Sequence, residues 1–484
     1  MIAFTAAEIA QLTHGRLNGD PDVTPTSVVT DSREAKTGSL YVAKPGEHAD
    51  GHHFVHAAFE RGAVLVLAER KVVDAHGSPY PAVVVDDAVL ALGALAAETI
   101  RRIRSERKLR GELFTVIGIT GSAGKTTTKD LLAGILSTTG ATVAPQGSYN
   151  GEVGVPLTVF NADAGTRFLV IEMGATGLGH IKYLADMVKP DIGVVLMVGT
   201  AHAGEFGGVD NIARTKGELL EALSEHGTAV INLDDARVAA MRPRTKAKVL
   251  GFTASAGLPE EVGALNVFIN SDGFPGFDLA LPDGGPSVPV RSRLIGAHHV
   301  TNLLAAAAAA FAADIASSAI ATSLSSQAAA SRWRMERMER EDGVTIINDA
   351  FNANPESMSA ALRALAELGR ERRTWAVLGA MLELGDDSVQ EHNAVGAQVV
   401  QLNISKLVVV GQEARALFDS AIKEGLPGDE CHFTESVEDA YELLQNELEA
   451  GDLVLFKSSK QVGLRHLGDR TSLSPRASSP AGKD

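Results

Sequence analysis

The sequence predicts an α/β protein of three domains: a small α/β domain, a central domain on a parallel sheet, and a C-terminal domain of Rossmann type. Three observations predict it. The chain has 484 residues, the length of about three ordinary domains. Two long stretches alternate short buried-strand patterns with helical ones, as parallel sheets covered on both faces require. Finally, a charged run, Arg101 to Arg110, ends in Gly111 and separates the first of these stretches from what precedes it.

The first block, residues 1–112, carries strand patterns at Leu40 to Ala43, Ala63 to Leu67 and Ala82 to Val85. A helical pattern from Val89 to Arg104 follows. The charged run then reads as a solvated helix end or a linker, and as the first boundary.

The second block, residues 113–328, opens on the apolar run Phe114 to Ile119. Further strands are expected at Arg167 to Met173, Ile192 to Val198 and Thr228 to Leu233. From Phe252 to Val290 the pattern changes to short Gly/Pro-rich strands, and an alanine-dense helical segment, Asn302 to Ser325, closes the block. In the third block, residues 329–470, strands are expected at Val344 to Asn348, Thr374 to Gly379, Lys406 to Gly411 and Asp452 to Phe456. Asn354 and Pro355 have the chemistry of an N-cap and first turn for a helix ending near Leu368. No G-x-G-x-x-G follows the first strand, so NAD binding is not supported. The Ser/Pro/Ala/Gly composition of residues 471–484 predicts disorder.

Bulk chemistry removes several classes of function. Net charge is −16, which disfavours non-specific nucleic-acid binding. The apolar run Leu303 to Ala313 is too short to span a bilayer, and the mean hydropathy of +0.06 suits packed cores. Met1 to Ala10 lacks the basic cluster and greasy stretch of a signal peptide. Cys431 is the only cysteine, so no intrachain disulfide forms, which fits a reducing cytoplasm.

The most specific local signal is Thr120-Gly121-Ser122-Ala123-Gly124-Lys125-Thr126-Thr127, between a strand and a helical pattern. Gly121 and Gly124 let backbone N–H groups of Gly121 to Thr127 close around phosphate oxygens. The helix start adds its positive dipole end. Lys125 supplies a charge to the β- and γ-phosphates of ATP, and Thr126 a hydroxyl to Mg²⁺. The general pattern wants glycine where this chain has Ile119; here the glycine stands at 121. Glu172 ends the expected strand 167–173, at the edge where α/β ligands gather. His202 follows the next strand: alone it is as readily a loop histidine as a ligand of Mg²⁺ or phosphate. Lys216 alone is one lysine on an amphipathic helix, and most such lysines are solvated.

The loop variant, the segment Asn150-Gly151-x-x-Gly154-Val155-Pro156-Leu157-Thr158, Ile171-Glu172-Met173-Gly174-Ala175 and the run Gly296 to Asn302 together resemble the Mur ligases. So do Asp349-Ala350-Phe351-Asn352-Ala353-Asn354-Pro355 and, in the first block, Thr30-Asp31-Ser32-Arg33 and Lys44-Pro45-Gly46. The resemblance covers about residues 25–468. It implies an ATP-dependent, ADP-forming amide ligase that activates a carboxylate as an acyl phosphate. The implied substrates are UDP-N-acetylmuramoyl-tripeptide and D-alanyl-D-alanine, in a cytoplasmic monomer of peptidoglycan synthesis. The rival reading within the superfamily is the tripeptide-forming ligase or a folylpolyglutamate synthase.

The resemblance also implies roles. Lys125, Glu172, His202 and Lys216 would serve catalysis, with Thr126, Glu172, His202 and a CO₂-derived carbamate on Lys216 holding Mg²⁺. Asn302, Arg334 and Asp349 would join the loop around ATP, Asn302 at the adenine edge. Ser32, Arg33, Lys44, Asn150, Thr158, Asn352 and Asn354 would meet the other substrates. Phe351 stands where tyrosine is commoner, and Ser458-Ser459 follow Lys457 where Gly-Ser or Ala-Ser is usual.

Overall fold

The structure, a computed structural model, describes residues 1–46, 49–199, 206–255 and 257–473. Among the described residues the chain builds three sheets. The first contains β1 (Arg16–Asn18), β2 (Ser27–Val29), β3 (Ser39–Ala43), β4 (Ala63–Ala68) and β5 (Ala82–Val84), in the order β1-β5-β4-β3-β2. Only β1 runs antiparallel to its neighbour. All five residues of β3 are buried, because helices cover both sides of the strand.

Of the two readings of the charged run, a helix end or a linker, the structure shows the helix end. The helix Ala88–Leu109 passes straight through it, five residues beyond the expected end at Arg104. Arg101, Lys108 and Arg110 are exposed, as a solvated helix end implies, while Arg104 and Arg107 reach across to the second block. Arg104 pairs with both carboxylate oxygens of Asp191 at 3.0 Å, and Arg107 donates to the Leu113 and Ala164 carbonyls. Charge density alone does not reveal that these two guanidinium groups find acceptors in the second block.

The second sheet has nine strands: β6 (Thr115–Thr120), β7 (Thr142–Val143), β8 (Phe168–Glu172), β9 (Ile192–Val195), β10 (Thr228–Asn232), β11 (Lys248–Thr253), β12 (Val262–Ile269), β13 (Pro275–Ala280) and β14 (Val288–Arg291). Their order is β14-β13-β12-β11-β10-β9-β6-β8-β7. Strands β6 to β12 pair in parallel; β13 and β14 add an antiparallel edge built from the Gly/Pro-rich segment. Parallel pairing places the carboxyl ends of β6, β8 and β9 side by side, which is where such sheets bind ligands. The alanine-dense segment is two helices, His299–Ala312 and Ser317–Ser326. Leu303 to Ala310 are fully buried; their small side chains let the first helix pack closely against the helix Lys125–Ser137 and the sheet.

The third sheet contains β15 (Glu336–Glu339), β16 (Thr345–Asn348), β17 (Thr374–Gly379), β18 (Lys406–Val410), β19 (Cys431–Thr434) and β20 (Leu453–Lys457), in the order β15-β16-β20-β17-β18-β19. It is parallel except for β15. Asn354 and Pro355 start the helix Pro355–Leu368 as expected, and Asn354 and Ser357 form a reciprocal capping box. The final helix, Leu464–Thr471, includes the first residue of the tail predicted to be disordered; residues 474–484 lie outside the described residues. Among the described residues no helix is long and apolar enough to cross a membrane.

Candidate active site

The glycine-rich loop joins β6 to the helix Lys125–Ser137. Gly124 is that helix's N-cap, in the left-handed region at φ 82°. A Cβ there would also stand 2.3 Å from Asn302 Oδ1, so both conformation and space demand glycine. The Lys125 ammonium folds back to donate to the Gly121 carbonyl at 2.7 Å. Burial lowers its pKa; the Glu172 carboxylate opposes that shift and the Arg334 guanidinium adds to it.

Three side chains converge on the next residue, and a fourth holds one of them. The Thr126 hydroxyl donates to Glu172 Oε2 at 2.9 Å. Its oxygen lies 2.8 Å from Ser148 Oγ and accepts from Arg334 Nη2 at 3.1 Å. Arg334 also donates to Ser148 at 3.3 Å, and Asn150 Nδ2 donates to Glu172 Oε1 at 2.8 Å. Glu172 is 1% exposed at the end of β8. Thus β6, β8, the segment before Gly154 and the start of the third block meet at one hydroxyl.

Arg334 is aimed there by its own backbone. Trp333 and Met335, on either side, both have positive φ, 60° and 50°. Such conformations are strained for large side chains and persist where surroundings enforce them. The guanidinium lies 4.2 Å from the Phe351 ring centroid, so the ring that lacks the commoner tyrosine hydroxyl still presents a face to a cation.

Lys216, in the helix Val209–Glu221, is 6% exposed, not solvated. Burial, with a smaller contribution from the Lys125 charge, lowers its pKa from 10.5 to about 7. His202 lies outside the described residues. Thr126 and Glu172 offer hard oxygen donors on the phosphate side of the loop, the donor set that suits Mg²⁺. No cluster of three or more His, Cys, Asp or Glu fit to hold a metal occurs among the described residues. One carboxylate and one hydroxyl leave the remaining positions to phosphate and water, as Mg²⁺ sites commonly do.

The third block closes over the loop. Asn354 accepts from the Ser357 N–H with its oxygen and donates with its nitrogen to the Ser122 carbonyl at 3.4 Å. Glu356 lies so near Gly199 that a Cβ there would meet its carboxylate at 2.5 Å. Asp349 accepts from Lys457 at 2.6 Å and from the Met335 N–H at 3.0 Å; Asn352 is exposed, and its carbonyl accepts from Lys457 at 3.1 Å.

Other sequence candidates stand apart from this network. Thr158 is buried and returns its hydroxyl to the Gly154 carbonyl at 2.9 Å, within its own helix. In the first block Ser32 is buried, Arg33 forms a two-pronged pair with Asp31, and Lys44 donates to the Pro45 carbonyl. Sequence reasoning missed Ser148, Lys457 and Glu356. Ser148 stands two residues before Asn150, just outside the segment singled out, and a lone serine in a Gly-rich turn carries no periodic signal.

Comparison with known proteins agrees along the chain. Family models match as "Mur ligase family, catalytic domain" over residues 25–99, "Mur ligase middle domain" over 119–310 and "Mur ligase, glutamate ligase domain" over 333–460. The UDP-N-acetylmuramoyl-tripeptide--D-alanyl-D-alanine ligase of Mycobacterium tuberculosis is 39% identical over 97% of this chain and 98% of its own. The protein of the same name from Escherichia coli is 32% identical over 86% and 88%. The crystal structure of MurF from Acinetobacter baumannii superposes with a TM-score of 0.84 at 31% identity, covering 98% of this chain and 99% of that one. The MurF ligase of Thermotoga maritima, crystallised in complex with ADP, gives 0.76 at 27% identity over 92% and 97%. A three-domain α/β chain with this loop, these relatives and these matches from residue 25 to residue 460 belongs to the Mur ligase family.

Proposed function

We propose that this chain joins D-alanyl-D-alanine to UDP-N-acetylmuramoyl-tripeptide, converting ATP to ADP and phosphate and forming the pentapeptide precursor of peptidoglycan. The observation that carries the reading is likeness over 97% of the chain to ligases bearing that name. The convergence at Thr126 gives it a physical basis.

A carboxylate does not react with an amine at neutral pH without a better leaving group. Phosphoryl transfer from ATP supplies one, as an acyl phosphate. Lys125 and the loop N–H groups hold and neutralise the transferring phosphoryl group. Thr126 and Glu172 would hold Mg²⁺, which lends positive charge to the phosphate oxygens when bound. Asn150 and Ser148 orient these two ligands. Burial lowers the Lys216 pKa to about 7, so at neutral pH a share of its amine is unprotonated; its addition to CO₂ would release one proton to solvent, and that carbamate and His202 would supply further oxygen and nitrogen donors to the metal. Arg334 is placed to follow the γ-phosphate as the third block closes and excludes water.

We assign substrate work by segment: residues 1–112 to the uridine nucleotide through Ser32, Arg33 and Lys44, residues 113–328 to ATP, and residues 329–470 to closure and the incoming dipeptide through Asn352 and Asn354. The chain is proposed to work as a monomer. Nucleotide substrates and a single cysteine fit a cytoplasmic site of action.

The test is mass spectrometry of product. With ATP, UDP-N-acetylmuramoyl-tripeptide and D-alanyl-D-alanine, the chain should form the pentapeptide and equimolar ADP. Absence of pentapeptide from folded protein with all three present would refute the assignment.

A further inference from the structure

We propose that Asp469, on the last helix, is a positioning residue for phosphoryl transfer: its carboxylate holds the indole N–H of Trp333 and so fixes the turn that aims Arg334 at Thr126. The proposal rests on the reading above that Arg334 meets the transferring phosphate.

The Arg334 guanidinium is lightly held at its tip. One nitrogen, Nη2, donates to Thr126 at 3.1 Å and to Ser148 at 3.3 Å, and Nε is buried without a hydrogen-bond partner among the described residues. Its aim therefore depends on the backbone that carries it. That backbone sits between two residues in the left-handed region, Trp333 and Met335, and such a turn persists only where its surroundings enforce it. On the Met335 side, burial and the N–H accepted by Asp349 enforce it.

On the Trp333 side the enforcing group is Asp469. The indole Nε1 donates to both of its carboxylate oxygens, at 3.0 and 3.1 Å. The same carboxylate accepts from Arg332 Nη2 at 2.8 Å and from Asn348 Nδ2 at 3.2 Å. Asp469 thus ties the two residues before Arg334 to the end of β16, next to the Asp349 that holds the residue after it. Trp333 in turn sets the floor under Arg334: its carbonyl accepts from the Phe351 N–H at 3.3 Å, and the Phe351 ring lies against the guanidinium.

The helix Leu464–Thr471 is seated closely enough to do this. A Cβ at Gly468 would stand 2.5 Å from Asn348 Nδ2, so glycine alone lets the helix approach β16 at that distance. Asn348 is fully buried and also donates to the Arg465 carbonyl at 2.8 Å. Among the described residues the Asp469 side chain bonds Arg332, Trp333 and Asn348 and no part of the phosphate loop, so its effect on chemistry passes through Arg334.

Steady-state kinetics of the full chain, with calorimetric titration of UDP-N-acetylmuramoyl-tripeptide, test this. Asp469→Ala and Trp333→Phe, which keeps a ring but loses the indole N–H, should each lower kcat by about tenfold or more. Affinity for the UDP-substrate should stay within about twofold of wild type in both. Asp469→Asn keeps an acceptor for the indole and should remain within about threefold of the wild-type kcat. In an Arg334→Ala background, Asp469→Ala should change kcat by less than about twofold, because the group it positions is gone. Should Asp469→Ala fail to fold, Trp333→Phe takes its place in that cycle. The proposal is overturned if Trp333→Phe turns over at the wild-type rate, if UDP-substrate affinity falls in step with kcat, or if the loss is the same with and without Arg334. A wild type that forms no pentapeptide would instead remove the functional reading, and this proposal with it.

Discussion

The Arg334 guanidinium reaches the hydroxyl of Thr126 at 3.1 Å, bringing the residue that leads into β15 onto the loop that follows β6. The contact makes Arg334 a mechanical link between closure of the third block and the phosphate site. Arg334→Lys keeps the charge but loses the planar fork and its stacking on Phe351, so the change is not conservative. Turnover should fall about a hundredfold in Arg334→Lys and further in Arg334→Ala, with folding unchanged by circular dichroism. Near-normal kcat in Arg334→Ala would show that the contact has no part in phosphoryl transfer.

Lys125→Ala and Glu172→Gln remove the ammonium and the carboxylate that flank Thr126. Each should lower kcat by about a thousandfold while the UDP-substrate affinity stays within a few-fold of wild type. Stopped-time phosphate assays with matched binding titrations separate the two quantities. Equal losses in both would point to a collapsed site instead of a missing catalytic charge.

Lys216 differs from both. If its amine carries a carbamate, Lys216→Ala should lose activity and added formate or acetate should restore part of it, because a small carboxylate can supply the missing oxygens. Lys216→Arg keeps a cation and should not be rescued. A fully active Lys216→Arg enzyme would mean the site wants positive charge there.

How much of this was legible in the sequence depends on the range of the interactions. The phosphate loop, the Asn354 cap and the strand that ends in Glu172 are local patterns, and all three appear where the residues predict them. That the run Arg101 to Arg110 ends a helix was one of the readings its residues allowed; the partners of Arg104 and Arg107 were not legible, because Asp191 and the Ala164 carbonyl lie more than fifty residues away. The burial of Lys216 was hidden for the same reason: a helix pattern gives its face but not what packs over it. Ser148, Lys457 and the hold of Asp469 on Trp333 become visible only once distant segments meet.

His298 carries a pH dependence whose sign is fixed by burial. Burial lowers its pKa from 6.5 to about 4, so between those values the unfolded chain binds a proton that the folded one does not. Its contribution to stability is therefore present above about pH 6.5 and lost as pH falls toward 4. His298→Leu should flatten this part of the profile. Urea midpoints of wild type and variant, compared from pH 4 to pH 7, give the difference slope. A difference that does not change with pH would show that His298 has no shifted pKa.

The Asn354 side chain does two jobs, capping the helix Pro355–Leu368 and reaching the Ser122 carbonyl. Asn354→Ser preserves a capping oxygen but not the amide that crosses to the loop. It should cost less stability than Asn354→Ala, for which the lost cap alone is worth about 1 kcal/mol. Both variants should show a similar rise in KM for ATP if the Ser122 contact matters to closure. Wild-type KM in both would confine Asn354 to capping.

The central claim, that this chain activates a carboxylate by phosphorylating it, is tested most directly by isotope transfer. UDP-N-acetylmuramoyl-tripeptide labelled with ¹⁸O in its terminal carboxylate is turned over with ATP and D-alanyl-D-alanine, and the released phosphate is weighed. An acyl phosphate leaves one substrate oxygen on the phosphate, so each phosphate should carry a single ¹⁸O from fully labelled substrate. Phosphate released with only unlabelled oxygen, at a rate matching amide formation, would contradict the account.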